Sequence, residues 1–261
     1  MNRYFAQTPL EREQQRLETE ERRYMRRRRE EKPSALNAFL EEKIPDALQD
    51  TLDAAFAKAF TLIFEKGTGL IEKTYDKALL EEQCHEDQQT ILQRQDWRSL
   101  REVKKRAGSG GLKNKVLSGA VGIGMGAIGV GIPDIPVFTG FLLKSVYEMA
   151  LRYGFRYDTE EEKYFVLLII QGALCPWEDL EKIEREIDAF SQTELLPLYY
   201  SRAGQIRSAS QVLSKELLYM KFLQGTPFVG IIGGAYDVVY MKRVTEYAEL
   251  KYRRRFYLKM E

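Results

Sequence analysis

Residues 46–63 read DALQDTLDAAFAKAFTLI, and the spacing of the apolar residues in this stretch decides the fold class. The apolar side chains recur at steps of three and four residues, at Leu48, Leu52, Ala55, Phe56, Ala59, Phe60 and Ile63. This spacing predicts an amphipathic helix with one face against a core. Nothing in the chain alternates with the period of two that is typical of strands. We therefore predict an all-α protein of about eight to ten helices.

Further helices are predicted along the rest of the chain. Residues 165–171 are apolar on every side, which predicts a buried helix. Residues 195–223 are expected to form two short helices, or one helix broken near Gly204. The remaining predicted helices cover residues 70–80, 91–103, 137–153 and 177–190. The expected body is compact and built from many helices.

The composition indicates a chain that can bury a sizeable core. Of its 261 residues, 44% are hydrophobic and 11% are aromatic, which is enough for one large domain or two small ones. Lys and Arg number 40 and Asp and Glu number 39, so the formal net charge is only +1. This balance argues against a strongly basic nucleic-acid binder and against an acidic disordered protein. We expect no nucleic-acid partner.

Cysteine usage and the N-terminus both favour a cytoplasmic protein. Cys84 and Cys175 lie far apart and outside any Cys-x-x-Cys pattern, so we expect neither a disulfide framework nor a zinc site. Residues 1–15 lack the apolar segment of a secretory signal. We expect the protein to lie in the cytoplasm, at the inner face of the cell membrane.

The N-terminal residues 1–33 are predicted to form a charged helical arm ahead of a helical domain over residues 34–261. Residues 10–32 are almost all Glu, Arg or Gln, with a thin stripe of apolar positions. Such a pattern is typical of a solvated helix. The four consecutive arginines at 26–29 form an unneutralised block that could meet phosphates. The arm could also join a partner helix or a second copy of the chain.

Two glycine motifs indicate no nucleotide site, and the single histidine, His85, leaves open only the role of a base for a serine or cysteine. Residues 124–129 match Gly-x-Gly-x-x-Gly, but no strand precedes them as a dinucleotide site requires. Residues 67–74 resemble a P-loop, except that Glu72 stands where the second glycine belongs and would repel phosphate. His85 is the only histidine, so a pair of zinc-binding histidines is excluded. We expect no metal and no cofactor.

Basic residues are concentrated in two segments of the chain. Residues 97–115 are basic, and a second basic cluster lies near the C-terminus. Because anionic lipid headgroups attract such clusters, we predict that the two segments bind a membrane surface. The expected contact residues are Arg98, Arg101, Lys104, Lys105, Arg106, Lys113, Lys115, Arg253, Arg254 and Arg255.

Two glycine-rich apolar stretches, 116–132 and 225–241, are the most distinctive feature of the sequence. At helical spacing their small residues fall on one face, which lets another backbone approach closely. The stretches could form two close-packed helices in a core or a hairpin that enters a bilayer shallowly. The uncharged run is shorter than the roughly 20 residues that a spanning helix needs. The expected packing residues are Ser118, Gly122, Gly126, Gly230 and Gly234.

Three carboxylates, Asp134, Glu148 and Asp237, lie in apolar surroundings and are the catalytic candidates. If they converged, they could bind a cation or act as an acid/base pair. The alternative is that they cap helices or pair with basic neighbours on the same helices. The neighbours available are Lys144, Arg152, Lys242 and Arg243.

The order of motifs between residues 116 and 158 resembles that of the EcsC family of bacterial proteins. A glycine-rich run is followed by Pro133-Asp134-Ile135-Pro136, then by Tyr147-Glu148-Met149-Ala150, and then by Tyr153-Gly154 with Asp158. Residues 226–256 are similar to the family's closing helix. The resemblance covers roughly residues 40–256. It implies a helical cytoplasmic protein whose namesake is encoded beside two components of an ABC exporter, and it supplies no catalytic residues.

Three functions are therefore open. The leading hypothesis is a non-enzymatic, peripheral membrane-associated protein linked to ABC transport or protein secretion. The alternative is an enzyme that acts on a lipid or a small ligand through buried carboxylates, with or without a metal. The third is a soluble interaction module that uses the charged arm.

Overall fold

The computed structural model describes residues 7–30, 45–109, 134–223 and 235–261, and every regular element in these ranges is helical. The all-α prediction is therefore confirmed. The helices are α1 (Pro9–Glu30), α2 (Asp46–Leu62), a π-helix (Ile63–Gly67), α3 (Thr68–Glu72), α4 (Lys77–Arg94), α5 (Trp97–Ser109), α6 (Asp134–Arg152), α7 (Glu160–Leu174), α8 (Trp177–Thr193), α9 (Arg202–Leu223) and α10 (Ala235–Leu258).

Helix α7 is the centre of the core. Every side chain from Tyr164 to Leu174 is buried, as its apolar sequence predicts, and the helix contacts α6, α8, α9 and α10. The side chain of Thr159 accepts a hydrogen bond from the backbone N–H of Glu162 at 3.1 Å, which caps the N-terminus. Acidic residues in the first turn suit the positive end of the helix dipole.

Aromatic side chains join the helices around α7. Phe138 of α6 makes edge-to-face contacts with Phe56 of α2, at 6.4 Å between ring centroids, and with Tyr240 of α10, at 6.3 Å. Helix α2 also packs along α9. These contacts cover the apolar face of α2, so the prediction that it faces a core is confirmed.

Three of the predicted helices are broken or partly absent in the structure. The helix over 70–80 is interrupted after Glu72, and α4 begins only after Asp76, whose side chain accepts a hydrogen bond from the backbone N–H of Leu79 at 3.0 Å. The helix over 91–103 is broken at Gln95, which has a left-handed backbone with φ 47°. Residues 195–201 are not helical, and α9 runs unbroken through Gly204.

The charged arm is packed on the body, which corrects the expectation of a solvated helix. Helix α1 contacts α5 and α10, and it buries Leu17 and Tyr24. Arg28, in the arginine block expected to meet phosphates, is also buried. Its guanidinium donates hydrogen bonds to the backbone carbonyls of Ala173 and Cys175 at the end of α7. A few apolar residues are enough to hold α1 on the body, because its charged side chains make much of the contact with the other helices.

Both glycine-rich stretches fall mostly outside the described residues, and with them the packing residues Ser118, Gly122, Gly126, Gly230 and Gly234. The same is true of Lys113 and Lys115. Among the helices of the described ranges, none combines the length and the apolar character needed to cross a bilayer.

Candidate functional site

The basic segment that the sequence singles out begins with helix α5. The side chains of Leu100, Val103 and Ala107 are buried at steps of three and four residues, which fixes the inner face of the helix. Asp96 starts the helix by accepting a hydrogen bond from the backbone N–H of Ser99 at 2.9 Å, and this bond lowers the pKa of its carboxyl. The outer face is therefore the one that carries the basic residues.

Three of the basic residues on α5 pair with carboxylates of the same chain. Arg101 lies 3.2 Å from Glu13 and Lys104 lies 2.6 Å from Glu20, both on α1. Arg106 lies 2.6 Å from Asp87 on α4. These pairs hold α5 against its neighbours, so the three residues contribute less free positive charge than the sequence suggests.

Arg98 and Lys105 differ from these three. Both are exposed, and within the described ranges neither forms an ion pair. Trp97 is 39% exposed beside Arg98, whose guanidinium carbon lies 5.5 Å from the indole ring centroid. The guanidinium of Arg101 lies 4.5 Å from the same ring. The start of α5 thus presents an indole and cationic groups together at the surface.

The three consecutive arginines near the C-terminus lie in a different environment. Arg253 and Arg255 are only 2% and 3% exposed. All three pair with carboxylates of the same chain. Arg253 pairs with Glu20 and Glu249, Arg254 with Glu21 and Asp188, and Arg255 with Glu162 and Glu194. This changes the interpretation of Arg253 and Arg255 from surface contacts to interior residues.

Arg255 is held by both charge and aromatic rings. Its Nη1 lies 2.9 Å from each carboxylate oxygen of Glu162. Its guanidinium carbon lies 4.0 Å from the ring centroid of Phe155 and 4.3 Å from that of Phe165. Burial raises the pKa of Glu162, although Arg255 acts in the opposite direction. The pair is a structural connection between α7 and α10.

Of the three candidate catalytic carboxylates, only Glu148 has a described side chain. It is 8% exposed and pairs with Lys144 and, at 3.9 Å, with Arg152, both on its own helix. Asp134 is the first residue of α6 and Asp237 is the third of α10, but their side chains lie outside the described part of the structure. Glu148 therefore pairs with basic neighbours on its own helix, which is the alternative to a catalytic role.

A chain of tyrosines that sequence reasoning missed lies near α3. The hydroxyl of Tyr75 donates to that of Tyr157 at 2.7 Å, and Tyr157 donates to Glu72 at 2.6 Å. This second bond is the main cause of the lowered pKa of Glu72, which also pairs with Lys77 at 2.9 Å. Tyr147 stacks on Tyr157 at 4.1 Å. More than 80 residues separate Tyr157 from its two partners, so no local pattern reveals the chain.

The histidine and the cysteines show no catalytic pairing among the described residues. His85 is exposed and its Nε2 lies 2.9 Å from the side-chain nitrogen of Gln89. The neighbouring Cys84 is buried, and burial raises its pKa to about 11. In the described ranges, no three His, Cys, Asp or Glu side chains lie together as a metal site needs.

Sequence reasoning also missed a surface feature, the link between α8 and α9. Residues 195–201 carry no charge, and they expose the large apolar side chains of Leu195, Leu198 and Tyr199. A helix was expected here, which would have hidden one face of the segment. The structure instead contains a turn with apolar side chains in solvent.

Comparison with protein-family models identifies the family of the chain. The family model described as the EcsC protein family matches residues 11–257. The match begins inside α1, earlier than the residue near 40 at which the sequence resemblance starts, and it ends inside α10. Neither the curated proteins nor the solved structures give a match. Because the family model covers nearly the whole chain, this protein belongs to the EcsC family.

Proposed function

We propose that this EcsC family protein is a peripheral membrane-associated protein that binds anionic lipid surfaces through α5. The observation that carries the proposal is the exposure of Arg98 and Lys105 without an ion pair in the described ranges. Trp97 supports it, because indole rings are enriched at membrane–water interfaces. Because the apolar face of α5 is packed against the core, the helix can meet such a surface only through its outer charges and Trp97.

The expected strength of this contact follows from the number of free cations. Each Lys or Arg near an anionic surface contributes about 1 kcal/mol. Arg98 and Lys105 together therefore contribute about 2 kcal/mol, which is roughly 30-fold in affinity. In sequence, Lys113 and Lys115 continue the basic run. Stable anchoring takes a second signal, for which the glycine-rich stretch 116–132 is one candidate.

We also propose that this surface is the inner face of a bacterial cell membrane, close to an ABC exporter. The support is the resemblance to a family whose namesake is encoded beside exporter components. Crosslinking in cells, followed by purification of this protein, tests the neighbourhood. Recovery of the protein without any exporter component would contradict it.

Vesicle flotation at low salt tests the lipid-binding proposal. The protein is mixed with vesicles of phosphatidylcholine and phosphatidylglycerol, and the variant Arg98→Gln/Lys105→Gln is compared with the wild type. We expect roughly 30-fold weaker binding by the variant. Lys104 and Arg106 are left intact because they hold α5 to α1 and α4. Loss of these ion pairs would destabilise the protein, and weaker binding would then not report on charge alone.

The matched control removes the same two charges from another face. Lys182 and Arg185 are exposed on α8, so Lys182→Gln/Arg185→Gln changes the net charge equally. We expect this control to bind within about twofold of the wild type, because its charges are on α8 and not on α5. Equal losses in both variants would mean that only net charge matters. Absence of wild-type binding to the vesicles would refute the proposal.

An enzyme acting on a lipid or small ligand is the alternative function. No described contact favours it, because Lys144 and Arg152 already pair with Glu148.

A further inference from the structure

The link between α8 and α9 forms a hydrogen-bonded turn with apolar corners. The backbone N–H of Tyr200 donates to the carbonyl of Pro197 at 2.9 Å, which makes Leu198 and Tyr199 the two corner residues. They are 98% and 97% exposed, and Leu195 nearby is 71% exposed. Corner positions of turns normally carry Gly, Pro, Asn, Asp or Ser. We call residues 195–201 the apolar turn.

The ends of the apolar turn are firmly attached to the body. Tyr200 packs edge-to-face on Tyr164 of α7, with 5.4 Å between ring centroids. The side chain of Arg202 donates to Glu160 at 2.7 Å at the start of α9. At the other end, Glu194 ends α8 in a left-handed conformation and pairs with Arg255 at 2.9 Å. The turn therefore presents its corners without a loss of order on binding.

The charges beside the apolar turn are largely balanced. The turn has no charged residue of its own. Two carboxylates beside it are paired, since Glu194 lies 2.9 Å from Arg255 and 3.0 Å from Lys259, and Glu160 pairs with Arg202. These cations hold the pKa of both carboxyls below its usual range, although burial acts in the opposite direction. A third carboxylate, Glu186, accepts a hydrogen bond from Tyr164 at 3.3 Å and forms no ion pair in the described ranges. The paired carboxylates Glu194 and Glu160 repel lipid phosphates less than free ones would.

The shape of the apolar turn favours lipid over a protein partner. A protein hot spot is a well-packed pocket with a surrounding ring of contacts that excludes water. Two side chains that project from a convex corner offer no such ring. Lipid headgroups and acyl chains can instead close around projecting side chains. Tyrosine rings are enriched at this interface, and leucine is favourable below it.

We infer that the apolar turn inserts the side chains of Leu198 and Tyr199 into the headgroup and upper acyl region of a lipid bilayer. The inference rests on the proposed membrane association and supplies its second binding signal. In this arrangement α5 attracts the anionic surface and the apolar turn gives a contact that salt does not screen.

A fluorescent label at the corner tests insertion directly. Leu198→Cys introduces an exposed thiol, whereas Cys84 and Cys175 are buried, so a nitrobenzoxadiazole label goes to residue 198. With vesicles of phosphatidylcholine and phosphatidylglycerol, we expect a blue shift and a several-fold rise in emission. Doxyl-labelled acyl chains should quench this emission. The control Lys182→Cys on exposed α8 should show neither change.

A binding measurement with unlabelled protein complements the label. We expect Leu198→Ser/Tyr199→Ser to weaken vesicle binding about tenfold, by loss of apolar burial. Its remaining binding should stay salt-sensitive, because α5 is intact. Leu79→Ser removes a partly exposed leucine from α4 and should leave binding unchanged. All substituted side chains of the turn are exposed, so thermal unfolding should be unaltered.

The outcomes separate this inference from the proposed function. If wild type binds vesicles while the label at 198 stays in water and the double serine variant binds normally, the inference is refuted and the function stands. If the label enters lipid but Arg98→Gln/Lys105→Gln binds normally, the inference stands and α5 is not the electrostatic site. If wild type does not bind, both are refuted. A label that shifts with protein concentration alone would indicate a second copy as the occupant and refute the inference.

Discussion

Gly172 shows how closely two helices of the core approach each other. A Cβ atom placed on Gly172 of α7 would lie 2.5 Å from the ring of Tyr247 on α10. Tyr247 cannot move aside easily, because it is fully buried and its hydroxyl donates a hydrogen bond to Glu184. The absence of a side chain at residue 172 therefore sets the distance between the two helices.

We expect Gly172→Ala to lower the free energy of unfolding by about 1 to 3 kcal/mol, as overpacking of a core does. Denaturant unfolding followed by circular dichroism measures the change. Gly204→Ala is the matched control, because its Cβ would meet only Ser201 at an ordinary 3.5 Å. That control should be neutral or stabilising by up to about 1 kcal/mol. Equal destabilisation by both would contradict the close approach.

The sequence predicted the basic residues of the candidate site better than it predicted their environment. The sequence analysis named Arg98 and Lys105 among the basic residues by composition, and both are exposed in the structure. The sequence could not distinguish these two residues from Arg253 and Arg255, which are equally basic but buried. Consecutive residues on a helix point about 100° apart, so neighbours in sequence meet carboxylates from different helices.

Helix α1 shows at the scale of an element why a charge-rich segment was misjudged. Its buried face includes Glu13, Glu21 and Arg28 beside Leu17 and Tyr24. Lys251 pairs with Glu21 at 3.3 Å from inside the core. Hydropathy treats such charged residues as solvated. Only partners on other helices show that they are buried.

The arginine block of α1 provides a test within one helix. We expect Arg28→Ala to destabilise the protein by about 3 kcal/mol, because carbonyls at the end of α7 lose charged hydrogen-bond donors. Arg29→Ala removes an exposed arginine from the same helix and should change stability by less than about 0.5 kcal/mol. Chemical denaturation of both variants decides the point. Indistinguishable midpoints would mean that α1 is a free arm after all.

The ion pairs also define the charge distribution of the whole molecule. Many connect helices far apart in sequence, such as Lys104 and Arg253 with Glu20, or Arg255 with Glu162. In the described ranges, such pairs cancel much of the charge of the residues that form them. Exposed cations without an ion pair in the described ranges also lie elsewhere, as at Arg29, Lys182 and Arg185, so the feature particular to α5 is the exposed Trp97 beside Arg98.

The reaction rates of the two buried thiols, Cys84 and Cys175, measure how readily the core opens. Burial raises the pKa of Cys84 to about 11 and that of Cys175 to about 12. We expect both to react with a thiol reagent at mildly alkaline pH at least about 100-fold more slowly than a free cysteine, since the thiolate is scarce and enclosed. In denaturant, both should react at the rate of an unfolded peptide. Fast reaction of one thiol in native protein would reveal local opening there.

The sequence by itself determined the helical class, the buried run in α7 and the family, because apolar periodicity and motif order are local properties of a chain. Tertiary structure decided which charges are free and which are interior. It also turned residues 195–201 from an expected helix into an exposed apolar turn. The physical reason is that burial and ion pairing of a side chain depend on partners such as Glu20, Glu162 and Tyr164, which come from distant parts of the chain.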